Sequence, residues 1–189
     1  MADLQLLPIV TGPRGNKSAG ISRNNGPVTF KPPASTTTPF NAGVYGGEPG
    51  ATRLNLDLNC GHEAYHKFLS ELDEIVIKNL SADPQTYFKK KLSPDEVRAI
   101  FKPPITQRER DGQHYEPTVR TKINISGAAV TRCWDEHKTL RKIPEDWRRC
   151  EILPILQAKS VWFMSSGNCG ITFEVPDCIL TEKSDECPF

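Results

Sequence analysis

Basic and aromatic side chains gather in one stretch of this chain, at spacings that suit a polyanion. Arg120 and Lys122 take alternate positions in the run 119–125, Arg132 and Trp134 follow in the next apolar segment, and Tyr115 precedes them. Side chains two apart on a strand share a face, so Arg120 and Lys122 project together. Such cations neutralise phosphates without reading sequence, and each ring stacked on a base is worth about 1–3 kcal/mol. Trp162 and Phe163 are adjacent, which on a strand sends them to opposite faces and leaves one ring for stacking. Lys89 and Lys90, with Lys91, form a short charge run and are secondary candidates, as is Arg148-Arg149. The competing reading is plainer: Arg120 and Lys122 solvate a sheet face while Trp134 fills the core.

Other chemistries lack their parts. The sequence has neither the phosphate-binding P-loop nor the dinucleotide fingerprint, no serine in a Gly-x-Ser-x-Gly elbow, and no cysteine in a distinctive catalytic setting. No enzyme activity and no cofactor are expected. Cys60, His62 and His66 lie close together, with Cys133 and His137 as a second pair, but no Cys-x-x-Cys knuckle completes a four-ligand set. These read as polar residues at the wet start of a helix, and no metal is expected. The six cysteines, Cys60, Cys133, Cys150, Cys169, Cys178 and Cys187, are widely spaced in a chain long enough to bury an ordinary core. They read as thiols rather than a disulfide framework.

Charge is distributed unevenly. The formal net charge is +1, yet residues 1–88 carry −1, residues 89–159 carry +6 and residues 160–189 carry −4. A basic middle and an acidic end suit a polyanion site with its own electrostatic competitor. Within the end segment 181–189, Asp185, Glu186 and the terminal Phe189 are the candidate partner-binding residues. The carboxylates would lie over a basic groove until nucleic acid displaces them, and the ring would fill an apolar pocket on a partner.

The elements that position these residues follow from periodicity. Residues 12–50 are rich in Gly, Pro, Ser, Thr and Asn, so 1–50 reads as a mostly flexible arm. Leu54, Leu56 and Leu58 alternate with polar neighbours as in a half-buried strand. Tyr65, Phe68, Leu69, Leu72, Ile75, Val76 and Leu80 recur on one face of a helix over 62–80. Asp83-Pro84 opens a short helical turn, and Ser93-Pro94-Asp95-Glu96 is a capping box for a helix through Phe101. Strands are then predicted over 119–125, 128–134, 150–158, 160–164 with 170–175, and 178–180. Strands in this number without crossover helices favour a small antiparallel barrel or sandwich. No run approaches the roughly 18 apolar residues of a membrane span, and the first residues lack the pattern of a signal peptide, so a soluble intracellular protein is expected.

Four segments carry a resemblance: 68–74 (FLSELDE), 87–93 (YFKKKLS), 117–123 (PTVRTKI), and 161–163 (VWF) with 170–173 (GITF). In order and spacing they resemble an uncharacterised protein family of large algal and amoebal DNA viruses, which is in turn similar to phage-type single-stranded DNA-binding proteins. That resemblance implies an OB-fold, a role in replication, recombination or repair, and an acidic tail ending in Phe that contacts replication proteins. The expected architecture is therefore α+β: an OB-like antiparallel β-barrel over 51–180 with an N-terminal helical layer, followed by the tail 181–189. The expected partner is single-stranded DNA, or RNA, bound without strong sequence preference; the chain is not expected to touch membrane, and self-association is compatible with it. The rival reading is a virion structural component whose N-terminal arm orders on assembly.

Overall fold

Two long strands near the end of the chain, Glu151–Phe163 and Cys169–Thr181, form an antiparallel hairpin with which six other strands pair directly. This computed structural model describes residues 4–13, 15–44 and 50–181. In chain order the elements are β1 (Leu4–Thr11), β2 (Lys17–Arg23), β3 (Val28–Phe30), β4 (Thr36–Thr37) and β5 (Arg53–Asn59). Three helices follow: α1 (Glu63–Ala82), α2 (Pro84–Phe88) and α3 (Pro94–Ile100). Then come β6 (Phe101–Lys102), β7 (Ile105–Thr106), β8 (Glu109–Arg110), β9 (Gln113–His114), β10 (Thr118–Asn124), β11 (Arg132–Trp134), β12 (Leu140–Arg141), β13 (Glu151–Phe163) and β14 (Cys169–Thr181).

The main path through the sheet is β1-β2-β13-β14-β10-β5. Along one edge of β13 the chain lays β2, β3 and β4 in succession; along the free edge of β14 it lays β6, β10 and β11. This corrects the expected antiparallel barrel in two respects. The sheet is mixed, because β6, β10 and β11 all run parallel to β14. It is also open: the strand ladder ends at β1 and β5, beyond which β5 makes an isolated backbone bridge from Asn55 to Gly43, and where β4 meets β5 the link is made by side chains. Thr36 Oγ1 donates to the Asn59 carbonyl, and Asn59 Nδ2 donates to Thr37 Oγ1 at 2.6 Å. The predicted strand pairs 150–158/160–164 and 170–175/178–180 are each one continuous strand. Register shifts at Ile155/Gln157 and Ala158/Ser160 slip the alternation, and a slipped period reads in sequence as a break.

The N-terminal segment, expected as a flexible arm, carries four strands. Backbone ladders need no apolar pattern, and a few side chains suffice to seat these strands: Leu4, Ala19, Ile21 and Val28 are buried. Phe30 stacks on Phe68 of α1 at 4.4 Å and meets Tyr65 edge-on at 5.7 Å. The β2–β3 turn is built by Asn24 and Asn25, both at positive φ (51° and 60°), as a two-residue hairpin turn of the right hand requires. The buried cluster runs from Leu4 to Cys178, so these strands share one core with the rest of the chain.

The helical expectations agree closely. Helix α1 buries Tyr65, Leu69, Leu72, Val76, Ile77 and Leu80, and Asp83 caps α2 through Thr86 N–H. The Ser93/Glu96 capping box opens α3, which stops at Ile100 because Phe101 turns to extended backbone. Arg98 then clamps Glu74 at 2.5 and 2.6 Å, tying α3 to α1. Among the described residues no helix is long and apolar enough to cross a membrane.

Candidate nucleic-acid interface

Residues of β5, β10, β14 and β13 that alternate away from the core form the floor of a groove on the outer face of the sheet. On β10, Val119, Thr121 and Ile123 are buried while Arg120 is exposed and Lys122 half-buried, which is the predicted alternation. Register sets the rows: Arg120 lies opposite Asp57 of β5, and Lys122 lies between Asn55 of β5 and Glu174 of β14. The resulting cavity is about 940 Å³. Seven basic side chains line it (Lys17, Arg53, Lys102, Arg108, Arg120, Lys122 and Lys159) against two carboxylates, Asp57 and Glu174.

Both carboxylates are spent on orienting cations. Arg120 donates Nε and Nη2 to the two oxygens of Asp57 at 2.8 and 3.1 Å, and Arg108 Nη2 adds a third bond at 3.0 Å. Asp57 is buried, so the fork is held at the groove floor while the guanidinium of Arg120, 57% exposed, faces solvent. Glu174 holds Arg53 and, at 3.8 Å, Lys159 Nζ. Lys122 is left in a cationic environment. Burial first, then the neighbouring charges of Arg53 and Arg120, push its ammonium below the usual lysine range, with only Glu174 opposing them. A site that disfavours its own cation favours an incoming anion.

Trp162 supplies the aromatic wall. It sits between Ser18 of β2 and Gly170 of β14, and these small neighbours let the indole lie flat on the sheet. A Cβ at residue 170 would stand 2.6 Å from Trp162 Cζ2 and 3.0 Å from the Lys102 carbonyl, so the seat requires glycine. Phe163 points the other way, stacked on Tyr87 at 6.0 Å and edge-on to Phe88 at 5.7 Å. Beyond Arg120 the groove runs into a smaller cavity of about 270 Å³, which shares Asn55, Asp57 and Arg120 and is flanked by Phe40. The Phe40 ring is exposed and carries the Arg108 guanidinium 4.8 Å from its centroid.

Two comparisons with solved structures cover nearly the whole chain. The single-stranded DNA-binding protein from bacteriophage Enc34, in complex with ssDNA, matches 96% of this chain and 97% of its own at a TM-score of 0.51 and 12% identity. A C-terminal truncation of the same phage protein matches over the same shares at 0.52 and 11%. This chain and the Enc34 protein share a fold. A third match, gp2.5, a single-stranded DNA binding protein encoded by bacteriophage T7, covers 84% of this chain and 88% of its own at 0.46 and 12%. No protein-family model matches the sequence, and no curated protein matches it.

Within this Enc34-like fold the residues singled out from sequence fall in separate places. Arg120, Lys122 and Trp162 meet in the groove. Arg132 and Trp134 line a second cavity of about 580 Å³ that shares no lining residue with the groove. There Asp177 accepts from Arg132 Nη2 at 2.6 Å and Trp134 Nε1 at 2.9 Å, so the indole is fixed rather than filling the core. Tyr115 is exposed beside the β8–β9 hairpin, its N–H donating to the Arg108 carbonyl at 2.9 Å, and lines neither cavity. Lys89 and Lys90 are exposed at the end of α2, also outside both. Asp185, Glu186 and Phe189 lie outside the described residues. Cys60 is buried with its thiol donating to the Pro117 carbonyl, and His62 Nδ1 caps α1 by accepting from Ala64 N–H at 3.1 Å.

Sequence reasoning missed Lys17, Arg53, Lys102, Arg108, Lys159 and Phe40. Arg53 was within reach, since it alternates with Leu54 on the predicted strand and so faces outward. Lys17, Lys102, Arg108 and Phe40 come from strand ends and loops whose position only the topology sets, and Lys159 sits within β13 between the two strands predicted there.

Proposed function

We propose that this chain binds single-stranded DNA, with little sequence preference, along the groove crossed by β5, β10, β14 and β13. The observation that carries the reading is the imbalance of seven basic to two acidic side chains around a ring, Trp162, seated on the sheet. Phosphates would pair with Arg53, Lys122, Lys159 and Arg120, while bases stack on Trp162 and on Phe40 where the groove continues. Arg120 and Arg108, already oriented by Asp57, cost little further ordering when a phosphate arrives. The Enc34 protein, which shares the fold and is in complex with ssDNA, supports this reading. The sequence resemblance to proteins of large DNA viruses supports a role in replication, recombination or repair of a viral genome. Asp185, Glu186 and Phe189 would then recruit replication proteins and compete for the groove.

The test is fluorescence anisotropy with labelled oligo-deoxythymidine and a matched duplex at two salt concentrations. Wild type, a Lys122→Ala/Arg53→Ala/Trp162→Ala variant and a chain ending at residue 181 are compared. Salt-sensitive preference for the single strand, lost in the triple variant and strengthened by truncation, is expected. Equal affinity of a folded triple variant would overturn the groove assignment. No binding by any of the three at low salt would instead favour a structural role.

A further inference from the structure

Strands β11 and β14 run parallel with Cys133 directly opposite Cys178. Both side chains are 1% exposed, and the Cys178 thiol donates to Cys133 Sγ across 3.7 Å. Adjacent strands lie about 4.7–4.9 Å apart, inside the window of about 4.4–6.8 Å between Cα atoms that a disulfide spans. Closing 3.7 Å to the bond length of about 2.05 Å therefore takes a rotation of side chains, not a shift of strands. The hydrogen bond makes the two thiols unequal: Cys133 ionises more readily than an ordinary cysteine because it accepts from Cys178, and Cys178 correspondingly less. Cys60 and Cys169 are pushed up to about 12, chiefly by burial. The approach is from the 580 Å³ cavity beside Trp134, Pro154 and Ile155, whose wall includes Cys178 but not Cys133, so a peroxide would reach Cys133 past the Cys178 side chain.

We propose that Cys133 and Cys178 form a redox modification site, closing to a cross-strand disulfide when the protein meets a hydroperoxide. The Cys133 thiolate attacks the terminal peroxide oxygen and releases hydroxide (or alkoxide), giving the sulfenic acid. The Cys178 sulfur then attacks the Cys133 sulfur, expelling the sulfenic oxygen as water after it takes up the thiol proton. Two thiols are oxidised, one peroxide bond is reduced, and no other reactant is needed. Because β11 pairs, among the described residues, with β12 and β14 alone, the new bond pins that strand, with Trp134 next to Cys133, to the central hairpin. It also closes a loop of 45 residues, which should raise the melting temperature by on the order of 10 °C.

The full chain is treated with graded hydrogen peroxide, denatured, alkylated with N-ethylmaleimide and mapped by mass spectrometry, with a thermal melt run in parallel. A linked Cys133–Cys178 peptide, a higher melting temperature, and reversal of both by dithiothreitol are expected. Cys133→Ser and Cys178→Ser should each abolish the rise. The mapping on wild type needs neither variant to fold. Alkylation of both residues after oxidation of other cysteines, or over-oxidation of either residue without a link, overturns the proposal.

Discussion

Asp57→Asn separates stability from binding, because Asp57 serves the fold and opposes the ligand at the same time. Its carboxylate is buried and accepts three guanidinium bonds, two from Arg120 and one from Arg108. Asparagine keeps the shape but turns an NH₂ group toward one of those donors. Losing charge-assisted bonds at a buried acceptor costs about 1–3 kcal/mol, and about 1–2 is expected here because both arginines reach water. For a chain of this size that is a fall of roughly 2–8 °C in melting temperature. The groove meanwhile changes from seven basic and two acidic side chains to seven and one. One more neutralised phosphate steepens the slope of log K against log salt by about 0.7 on a single strand, or about 2.6-fold in affinity between roughly 50 and 200 mM. Thermal melts and anisotropy titrations at both salts measure the two effects. A destabilised variant with an unchanged slope would show that the Asp57 row is not on the DNA path.

Gly170→Ala should destabilise by about 1–3 kcal/mol, since the added methyl meets Trp162 and the Lys102 carbonyl, and should shift tryptophan emission as the indole leaves its seat; urea denaturation with fluorescence detection measures both, and an unperturbed spectrum would refute the packing account. Trp162→Ala should cost about 1–3 kcal/mol of affinity for a short oligonucleotide, or about 5- to 150-fold, whereas Trp134→Ala, on the separate cavity, should leave it unchanged. Asp73, raised to about 7 mainly by burial and then by Glu74, gives a pH-dependent prediction. The folded protein holds this proton to about pH 7, whereas the unfolded chain releases it near 3.8, so stability falls as pH rises between those values and is flat above. Asp73→Asn should remove that slope and exceed wild type in stability above pH 7, by about 2 kcal/mol, as urea titrations at pH 4 and 8 would show. Equal stability of the two proteins at pH 8 would contradict it.

What the sequence reveals about this fold depends on how local the determinant is. Helix α1 is legible because six buried residues repeat along one face, and the capping box of α3 is legible because its two partners are three residues apart. The alternation on β10 likewise places Arg120 and Lys122 outward without knowledge of any neighbour. The strands of the first 40 residues are illegible, since backbone pairing holds them, β2, β3 and β4 on β13 and β1 on β2, and their side chains bury little. Parallel pairing of β10 and β11 with β14 is equally hidden, because nothing in a strand's own residues states its direction relative to a distant partner. For the same reason Arg132 and Trp134, eight and ten residues beyond Asn124 at the end of β10, look like neighbours of Lys122 in sequence and occupy a different cavity in the structure.

Photo-crosslinking of a short oligo-deoxythymidine to the full chain, with the linked residues mapped by mass spectrometry, tests the groove directly. Crosslinks at Trp162 and Phe40, suppressed by raised salt, are the predicted result. Crosslinks confined to Trp134 or Tyr115, or a yield no greater than that of an unrelated basic protein, would contradict it.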